Sequence, residues 1–512
     1  MLLTAAAKWS FAATLANEQA MTKFMRDVAA ILEPGDLVTL SGDLGAGKTT
    51  FARALIRHLA GDPAIVVPSP TFTLMQSYDL PRFTLVHADL YRLESPGELG
   101  ELGFDDLPKD AVVLLEWPDR AAGFLPVDRL DIAFTLAPKH GPEYRNLRLT
   151  GYGTFSARAE RMFALRRFLD TTVFSDADRI RIQGDASTRS YERLTLSGNR
   201  IAILMISPRR PDGPPVRDGK PYSAIAHLAE DVKPFVAMAN GLRQLGLSPP
   251  KIFDAELSQG LLLIEDLGNE LVVSGDPPAP IEERYRAAID VLVALHRYQL
   301  SESLAISPHV EYKLPRYDMD AMLIEVELLL DWYMPRLGVE VTAEMRKSYV
   351  TLWRKLLQPA IDMKPTWVLR DFHSPNLIWL PDRKDLGRIG LLDFQDAVMG
   401  PPAYDVASLL QDARVDVPEE MEVALLGHYV KSRREIDEEF DPKSFVTLYS
   451  TMAAQRASKI LGIFARLDRR DRKPQYLRHM PRVWRYLQRA LSHPGLAALK
   501  TWYIARVPAW KE

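Results

Sequence analysis

The run Gly42-Asp43-Leu44-Gly45-Ala46-Gly47-Lys48-Thr49 constrains this chain more than any other segment. It fits G-x-x-x-x-G-K-[ST]. It lies between an apolar strand-like run, DLVTL at 36–40, and Thr49–Leu59, where apolar residues recur at helical spacing. The glycines let backbone N–H groups close around phosphate oxygens. Lys48 brings charge to the β- and γ-phosphates, Thr49 offers a hydroxyl to Mg²⁺, and the helix that starts here adds its positive N-terminal end. Such a strand–loop–helix unit needs a sheet to pack on. Short apolar runs at Ile65–Val67, Thr84–Val86, Val112–Leu115 and Arg129–Leu136 supply strand-like segments among helical stretches. The first 150 residues therefore read as an α/β fold with helices on a parallel or mixed sheet.

A phosphate loop of this kind needs a further acid for the metal, from the end of a neighbouring strand. Glu116 directly follows the apolar run VVLL, at the carboxyl end of a strand, where α/β sheets bind ligands. Asp89 follows TLVHA in the same way, and reads equally as a site acid and as a helix N-cap or surface acid. Beyond residue 150 the pattern changes. GYGTFSARAE at 151–160 is small and polar and reads as a linker, followed by a helical stretch, Glu160–Leu169. Two strand-like runs, Arg189–Leu196 and Arg200–Ile206, flank SGN, a hairpin signal. LLLIEDL at 261–267 reads as a buried strand ending in acids, and from 281 most segments carry helical period. The expected organisation is a P-loop domain over 1–152 and a two-lobed domain over 156–512, strand-rich to about 270 and helical from about 271.

The helical lobe holds the second constellation. Arg370-Asp371-Phe372-His373-Ser374-Pro375-Asn376 contains D-x-x-x-x-N, and Asp393-Phe394 begins seventeen residues after Asn376. In kinase-type phosphoryl transfer an Asp accepts or orients the proton of the attacking hydroxyl, while an Asn and a second Asp hold Mg²⁺. Asp371 is the expected catalytic base, and Asn376 and Asp393 are the expected metal ligands. The apolar runs LIWL and IGLL would hold them on a hairpin. His373 reads as structuring this loop and Asp405 as bracing it. Asp396 reads as a substrate contact or a turn acid. Arg466, Arg469 and Arg470 read as a solvated helix face or a carboxylate site, and Trp332, Trp379 and Trp484 as packing or sugar-stacking residues.

Two family resemblances rest on these residues. GDLGAGKTTF (42–51), PSPTFTL (68–74), HADLYRL (87–93) and LLEWPD (115–120), in that order over roughly 1–150, resemble TsaE, the P-loop ATPase of tRNA threonylcarbamoyladenosine synthesis. The resemblance implies ATP and Mg²⁺ as cofactors. It implies nucleotide contacts from Gly42, Asp43, Leu44, Gly45, Ala46, Gly47, Lys48, Thr49 and Thr50, with Thr71 and Trp117 beside them. Thr49 and Glu116 would hold the metal with Asp89 near it, and Lys48 and Glu116 would carry the catalysis. Ser69-Pro70-Thr71-Phe72 would be a switch-like loop near the γ-phosphate. The implied partners are proteins of the TsaB and TsaD type, with tRNA reached indirectly through them.

GDASTRSYERL (184–194), ILMISP (203–208), LLLIEDLG (261–268), LRDFHSPNLIWL (369–380), IGLLDFQDAVMGPPAYDVASLLQDAR (389–414) and QRASKILGIFARL (455–467) resemble the aminoglycoside-phosphotransferase-like superfamily. Within it they look most like the AmgK-type kinases of N-acetylmuramate and N-acetylglucosamine. This implies a bilobal protein-kinase-like fold and ATP- and Mg²⁺-dependent phosphorylation of a sugar's anomeric hydroxyl in cell-wall recycling. LLLIEDLG would form the hinge, and GDASTRSY the strand turn over the phosphates. Leu369 stands where the family's loop often opens with His. AILMISP carries Met205 where protein kinases place a phosphate-binding Lys, leaving Arg189 or Arg193 as the substitute. The alternatives are another small hydroxyl substrate (an aminoglycoside, choline or an amino acid) or a non-catalytic regulatory module.

Composition narrows the function classes. Lys and Arg number 64 against 67 Asp and Glu, a net charge of -3, which argues against a globally basic nucleic-acid binder. The chain has no cysteine, so disulfides, thiol catalysis and cysteine-ligated metals are excluded. This fits a reducing cytoplasm. No apolar run approaches bilayer-spanning length, and Lys8 interrupts the opening alanine-rich segment, which reads as mature protein. The expectation is a cytoplasmic enzyme without a membrane partner.

Overall fold

The structure, a computed structural model of the chain, describes residues 9–510 apart from 72, 94–97, 99–105, 122, 138, 140, 142–143, 183–188 and 210–212. It divides into two compact units, Met1–Arg181 with Leu194–Arg200, and Ile182–Arg193 with Ile201–Glu512.

The first unit is built on seven strands: β1 (Trp9–Leu15), β2 (Leu37–Ser41), β3 (Met75–Asp79), β4 (Thr84–Asp89), β5 (Val112–Glu116), β6 (Arg129–Leu136) and β7 (Arg145–Tyr152). They form one mixed sheet in the order β1-β7-β6-β2-β5-β4-β3. β2 is central and pairs in parallel with β5 and β6, and β4 pairs in parallel with β5. Buried residues of β2, β5, β6 and β7 share one core with α1 (Glu18–Ile31), α2 (Lys48–Ala60) and α3 (Thr154–Asp170). Asn17 starts α1 by accepting the Ala20 N–H, the usual N-cap bond.

Two expectations are corrected here. Residues 65–67 form no strand. The carbonyls of Ile65 and Val67 accept instead from Arg57 and Arg53 of α2, at 3.2 and 3.0 Å. The expected linker at 151–160 is the end of β7 and the start of α3, whose Phe155, Ala159 and Met162 lie in the first unit's core. Its small residues reflect close packing: a Cβ on Gly151 would stand 2.9 Å from the Phe155 carbonyl oxygen.

Past residue 182, the strands Ile252–Glu256, Leu261–Ile264, Arg200–Ile206 and Ser190–Leu196 are neighbours in that order, the first three paired antiparallel. Helices follow from Glu282 onward. The runs LIWL and IGLL form the expected hairpin, Leu377–Trp379 paired with Ile389–Leu391. The helix Pro442–Arg469 passes through the core with seventeen buried residues, among them Gln455, Arg456 and Lys459, and these three face the hairpin's acids and their supports. Among the described residues no helix is long and apolar enough to cross a membrane.

That long helix crosses the helix Met319–Leu328 at Gly462, where an added Cβ would lie 2.4 Å from the Leu328 carbonyl carbon. Gly462→Ala gains about 1 kcal/mol of helix propensity but forces a backbone clash of the kind that costs about 1–3 kcal/mol. The variant should unfold at a lower temperature in calorimetry of the full chain, and an unchanged or higher Tm would show that the crossing can relax.

His296 is buried with Nδ1 2.8 Å from the Tyr429 hydroxyl, and burial, then the Arg433 charge, pushes its pKa down to about 3. Its folded value lies below the ordinary 6.5, so between about pH 6.5 and 3 the unfolded chain binds the extra proton. Stability present above pH 6.5 is then lost as pH falls, by at most about 1.4 kcal/mol per pH unit from this group. Denaturant titrations at pH 7 and pH 5 should show a larger loss for the parent chain than for His296→Asn; equal losses would count against the buried neutral imidazole.

Candidate active sites

In the first unit the carboxyl ends of β2, β5 and β4 lie side by side, with Leu40 in register with Glu116 and Glu116 with Asp89. β2 runs into the phosphate loop. Gly42 has φ 132°, and a Cβ there would meet the Phe134 carbonyl oxygen at 2.2 Å, so only glycine fits. Gly47, at φ 107°, opens α2. Lys48 Nζ donates to the carbonyls of Gly42 and Asp43 at 2.7 and 2.9 Å, and lies 3.8 Å from the centre of the Trp117 ring. Burial lowers the Lys48 pKa, partly offset by Glu116, Asp89 and Asp43.

Glu116 is the hub of this site. It is 1% exposed, accepts from Thr49 Oγ1 at 2.8 Å on Oε2, and has His87 Nε2 at 2.9 Å from Oε1. Asp89 accepts the Tyr91 N–H at 3.0 Å and the Ser69 hydroxyl at 3.3 Å; burial raises its pKa despite the Tyr91 bond. A cavity of about 330 Å³ opens over these groups. Leu44, Gly45, Gly47, Lys48, Thr49, Thr50, Thr71, Asp89, Glu116 and Trp117 line it, whereas Gly42, Asp43 and Ala46 do not. Gly42 and Asp43 instead hold Lys48 by their carbonyls, and Ala46 is buried, its carbonyl accepting from Arg145 Nε at 3.0 Å. Of the expected switch-like loop, Ser69 and Thr71 line the cavity and Phe72 lies outside the described residues.

His87, Tyr91 and Arg92 are site residues that sequence reasoning did not single out, though HADLYRL contains all three. The strand alternation in His87-Ala88-Asp89 places His87 and Asp89 on one face of β4. The hydroxyl of Thr49 and the carboxylates of Glu116 and Asp89 form the all-oxygen donor set that suits Mg²⁺.

In the second unit Asp371 lies just before the short hairpin, and Asp393, Asp405 and Asp412 follow it. Asp371 and Asp393 are 39% and 41% exposed at the side chain, while Asp405 and Asp412 are fully buried. This separates acids that can reach a substrate from acids that brace the loop. Asp405 accepts the backbone N–H groups of Leu369 and Arg370 at 2.7 and 2.9 Å, and burial pushes its pKa up to about 7. Arg370, at φ 67°, is buried and donates to the Ala226 carbonyl at 2.8 Å and to Glu325. Glu325 also pairs with Lys459 at 2.8 Å and accepts from Gln455 at 3.0 Å. Burial would raise Asp371, but the charges of His373, Lys459, Arg456 and Arg370 outweigh it and hold the carboxyl below its ordinary range.

His373 lies 4.0 Å from Asp371 and 3.7 Å from Asp412, and Asp412 anchors the loop through the Ser374 N–H at 2.8 Å. Asn376 Nδ2 donates to the Asp371 carbonyl at 2.9 Å, which leaves its amide oxygen for a cation. Asp393, at φ 56°, accepts on Oδ1 from Arg189 and from Gln395, both at 2.8 Å. An amide oxygen and a carboxylate, completed by substrate phosphates, are a fitting Mg²⁺ set; among the described residues no cluster of three or more His, Cys, Asp or Glu forms a protein-only metal cage.

Asp396 stays within electrostatic reach of Asp371 and Arg189, while the other candidates pack elsewhere. Asp396 accepts the Ala229 N–H at 2.7 Å. Trp379 packs under Arg284, Trp484 stacks on Tyr333, and Trp332 packs against the core. Arg470 pairs with Asp471, and Arg466 lies over the Tyr222 ring. Met205 is 2% exposed, so no cation projects from that strand position. Of GDASTRSY, residues 184–188 lie outside the described residues.

Comparison with known proteins matches each unit to a family. The family model described as threonylcarbamoyl adenosine biosynthesis protein TsaE matches residues 15–144, and that of the phosphotransferase enzyme family matches residues 178–438. An N-acetylmuramate/N-acetylglucosamine kinase of Caulobacter vibrioides is 37% identical over 363 residues, 68% of this chain and 98% of the relative. One from Pseudomonas aeruginosa is 33% identical over 63% of this chain and 87% of its own length. A TsaE protein of Rickettsia bellii is 40% identical over 124 residues, 24% of this chain and 85% of the relative. Both families use ATP with Mg²⁺, and the oxygen donors of the two sites fit that cation. The chain belongs to the TsaE family through its first unit and to the phosphotransferase enzyme family through its second, and is an enzyme with ATPase and phosphotransferase activities.

Proposed function

We propose that the second unit phosphorylates the anomeric hydroxyl of N-acetylmuramate or N-acetylglucosamine, and that the first unit hydrolyses ATP in support of tRNA threonylcarbamoyladenosine synthesis. The observation that carries the first half is the half-exposed pair Asp371 and Asp393 flanking a short hairpin, in a unit 37% identical to a kinase of that name. Asp371 accepts the proton of the sugar hydroxyl as its oxygen attacks the γ-phosphorus. The new O–P bond forms while the bond to the β-phosphate oxygen breaks, and ADP leaves. Asp371 is suited to this because the surrounding cations keep it ionised. Asp405 and the Glu325–Arg370–Lys459 cluster hold the loop at the attacking angle, and Asn376 and Asp393 would hold Mg²⁺, which neutralises charge on the phosphates when bound.

In the first unit, Thr49 and Glu116 would hold Mg²⁺, with Asp89 beside them. Lys48 exchanges the Gly42 and Asp43 carbonyls for phosphate oxygens, and Trp117 flanks the nucleotide. Its partners are proteins of the TsaB and TsaD type, which hold the tRNA, and the whole chain works in the cytoplasm. A partner-held tRNA is compatible with the net charge of -3.

The two activities can be read separately in the full chain. Asp371→Asn should abolish ADP release that depends on N-acetylmuramate, with a loss of at least about a thousandfold as for removal of a catalytic base combined with its charge. No turnover with any amino sugar, against turnover with choline or an aminoglycoside, would overturn the sugar assignment. Lys48→Ala should abolish sugar-independent hydrolysis; hydrolysis at the parent rate would sink the P-loop reading. His87→Leu should lower sugar-independent hydrolysis by about 10–100-fold, the usual effect of removing a partner that orients a metal-binding group. Its sugar-dependent ADP release serves as the folding control, and an unchanged hydrolysis rate would show that Glu116 needs no second support.

A further inference from the structure

A kinase-like site needs a cation on the transferred phosphates, and the strand that supplies one in protein kinases has none here. That strand reads Arg200-Ile201-Ala202-Ile203-Leu204-Met205-Ile206, and Met205 lies in register with Leu262, 2% exposed. Two arginines on the neighbouring strand segment are candidates, and their surroundings separate them. Arg193 is 43% exposed at the side chain and pairs with Asp266 at 2.8 Å, an acid past the end of Leu261–Ile264. Arg189 is 9% exposed at the side chain and reaches 204 residues along the chain to place Nη1 2.8 Å from Oδ1 of Asp393.

We propose that Arg189 is the phosphate-binding cation of the phosphotransferase site, contributing the guanidinium that engages the β- and γ-phosphates of the nucleotide held at Asp393. This rests on the kinase reading of the second unit. The warrant is its position on the acid that would hold the metal. Oδ1 of Asp393 already accepts from both Arg189 and Gln395. With a divalent cation on that carboxylate, the guanidinium would leave it for phosphate oxygens brought within reach. The guanidinium then trades one oxygen anion for another over a short distance. A planar fork of N–H donors suits two phosphate oxygens at once, which an ammonium does not. Among the other buried cations near the catalytic loop, Arg370 and Lys459 both pair with Glu325, and Arg456 lies over the Tyr404 ring. Arg189 is thus the cation placed to follow the phosphates.

The test is nucleotide affinity, measured by calorimetry on the full chain in a Lys48→Ala background that silences the first nucleotide site. Arg189→Ala should weaken MgATP and MgADP binding by about tenfold to a hundredfold, the range for losing a hydrogen bond to a charged group, and leave adenosine binding unchanged. Arg189→Lys should recover part of the loss. In turnover assays the KM for MgATP should rise while the KM for sugar stays constant. MgATP affinity equal to the parent would overturn the proposal, and so would a parallel loss of adenosine binding, which marks a damaged lobe. Because affinity is read without sugar, failure to phosphorylate any sugar would sink the substrate reading while the Arg189 result still stands or falls on its own.

Discussion

Arg370 carries a full charge into the interior at 2% exposure, and the chemistry of the second unit depends on how that charge is neutralised. Its guanidinium meets Glu325 and the Ala226 carbonyl. Glu325, itself 0% exposed, is shared with Lys459 and accepts from Gln455 and Tyr317. A buried ion pair earns little net stability, but removing one partner leaves an uncompensated charge at a cost of about 3–5 kcal/mol. The cluster therefore tolerates one arrangement of the backbone around Arg370, the left-handed φ of 67° included. That arrangement turns the next residue, Asp371, toward solvent while Asp405 holds the preceding N–H groups. The reactive acid is placed by charges that take no part in the reaction.

The first unit solves the same problem with fewer groups. Glu116 is nearly as buried as Glu325, but its supports are a hydroxyl and an imidazole, Thr49 and His87. The Thr49 hydroxyl is a neutral donor that surrenders a carboxylate oxygen to a metal more readily than a guanidinium does. The sheet does the rest, since parallel register fixes Glu116 between the loop after Leu40 and Asp89. Here the acid that supports is also the acid that acts, so the site is compact and its pieces lie close to one motif or another in the sequence.

This difference explains what could be read in advance. Residues proposed to touch phosphate or metal fall in short patterns of fixed spacing, so Lys48, Thr49, Glu116, Asp371, Asn376 and Asp393 could be singled out, and the strand before the P-loop and the hairpin of LIWL and IGLL were legible. Supports at long sequence distance were not. Glu325 and Lys459 are ordinary helix residues until the fold brings them to Arg370, and nothing near Glu116 in sequence points to His87. Composition misled where packing produced it: Gly151 is small because Phe155 lies against it, and GYGTFSARAE imitates a linker for that reason. Ile65–Val67 imitates a strand because apolar residues cover α2, whose arginines take the carbonyls a sheet would have used.

The two cations proposed to meet phosphate differ in a way their partners dictate. Lys48 rests on two neutral carbonyls, and burial lowers its pKa, so an approaching phosphate offers it a better counter-charge than it has. Phosphate alone is enough to draw it across. Arg189 rests on a carboxylate, and leaving it for phosphate gains little unless something else neutralises Asp393. Only a cation on that carboxylate makes the exchange favourable, so metal and phosphate must arrive together. A lysine on the strand, in place of Met205, would be free of this condition. Placing the positive charge on Arg189 ties phosphate recognition in the second unit to occupancy of the metal position.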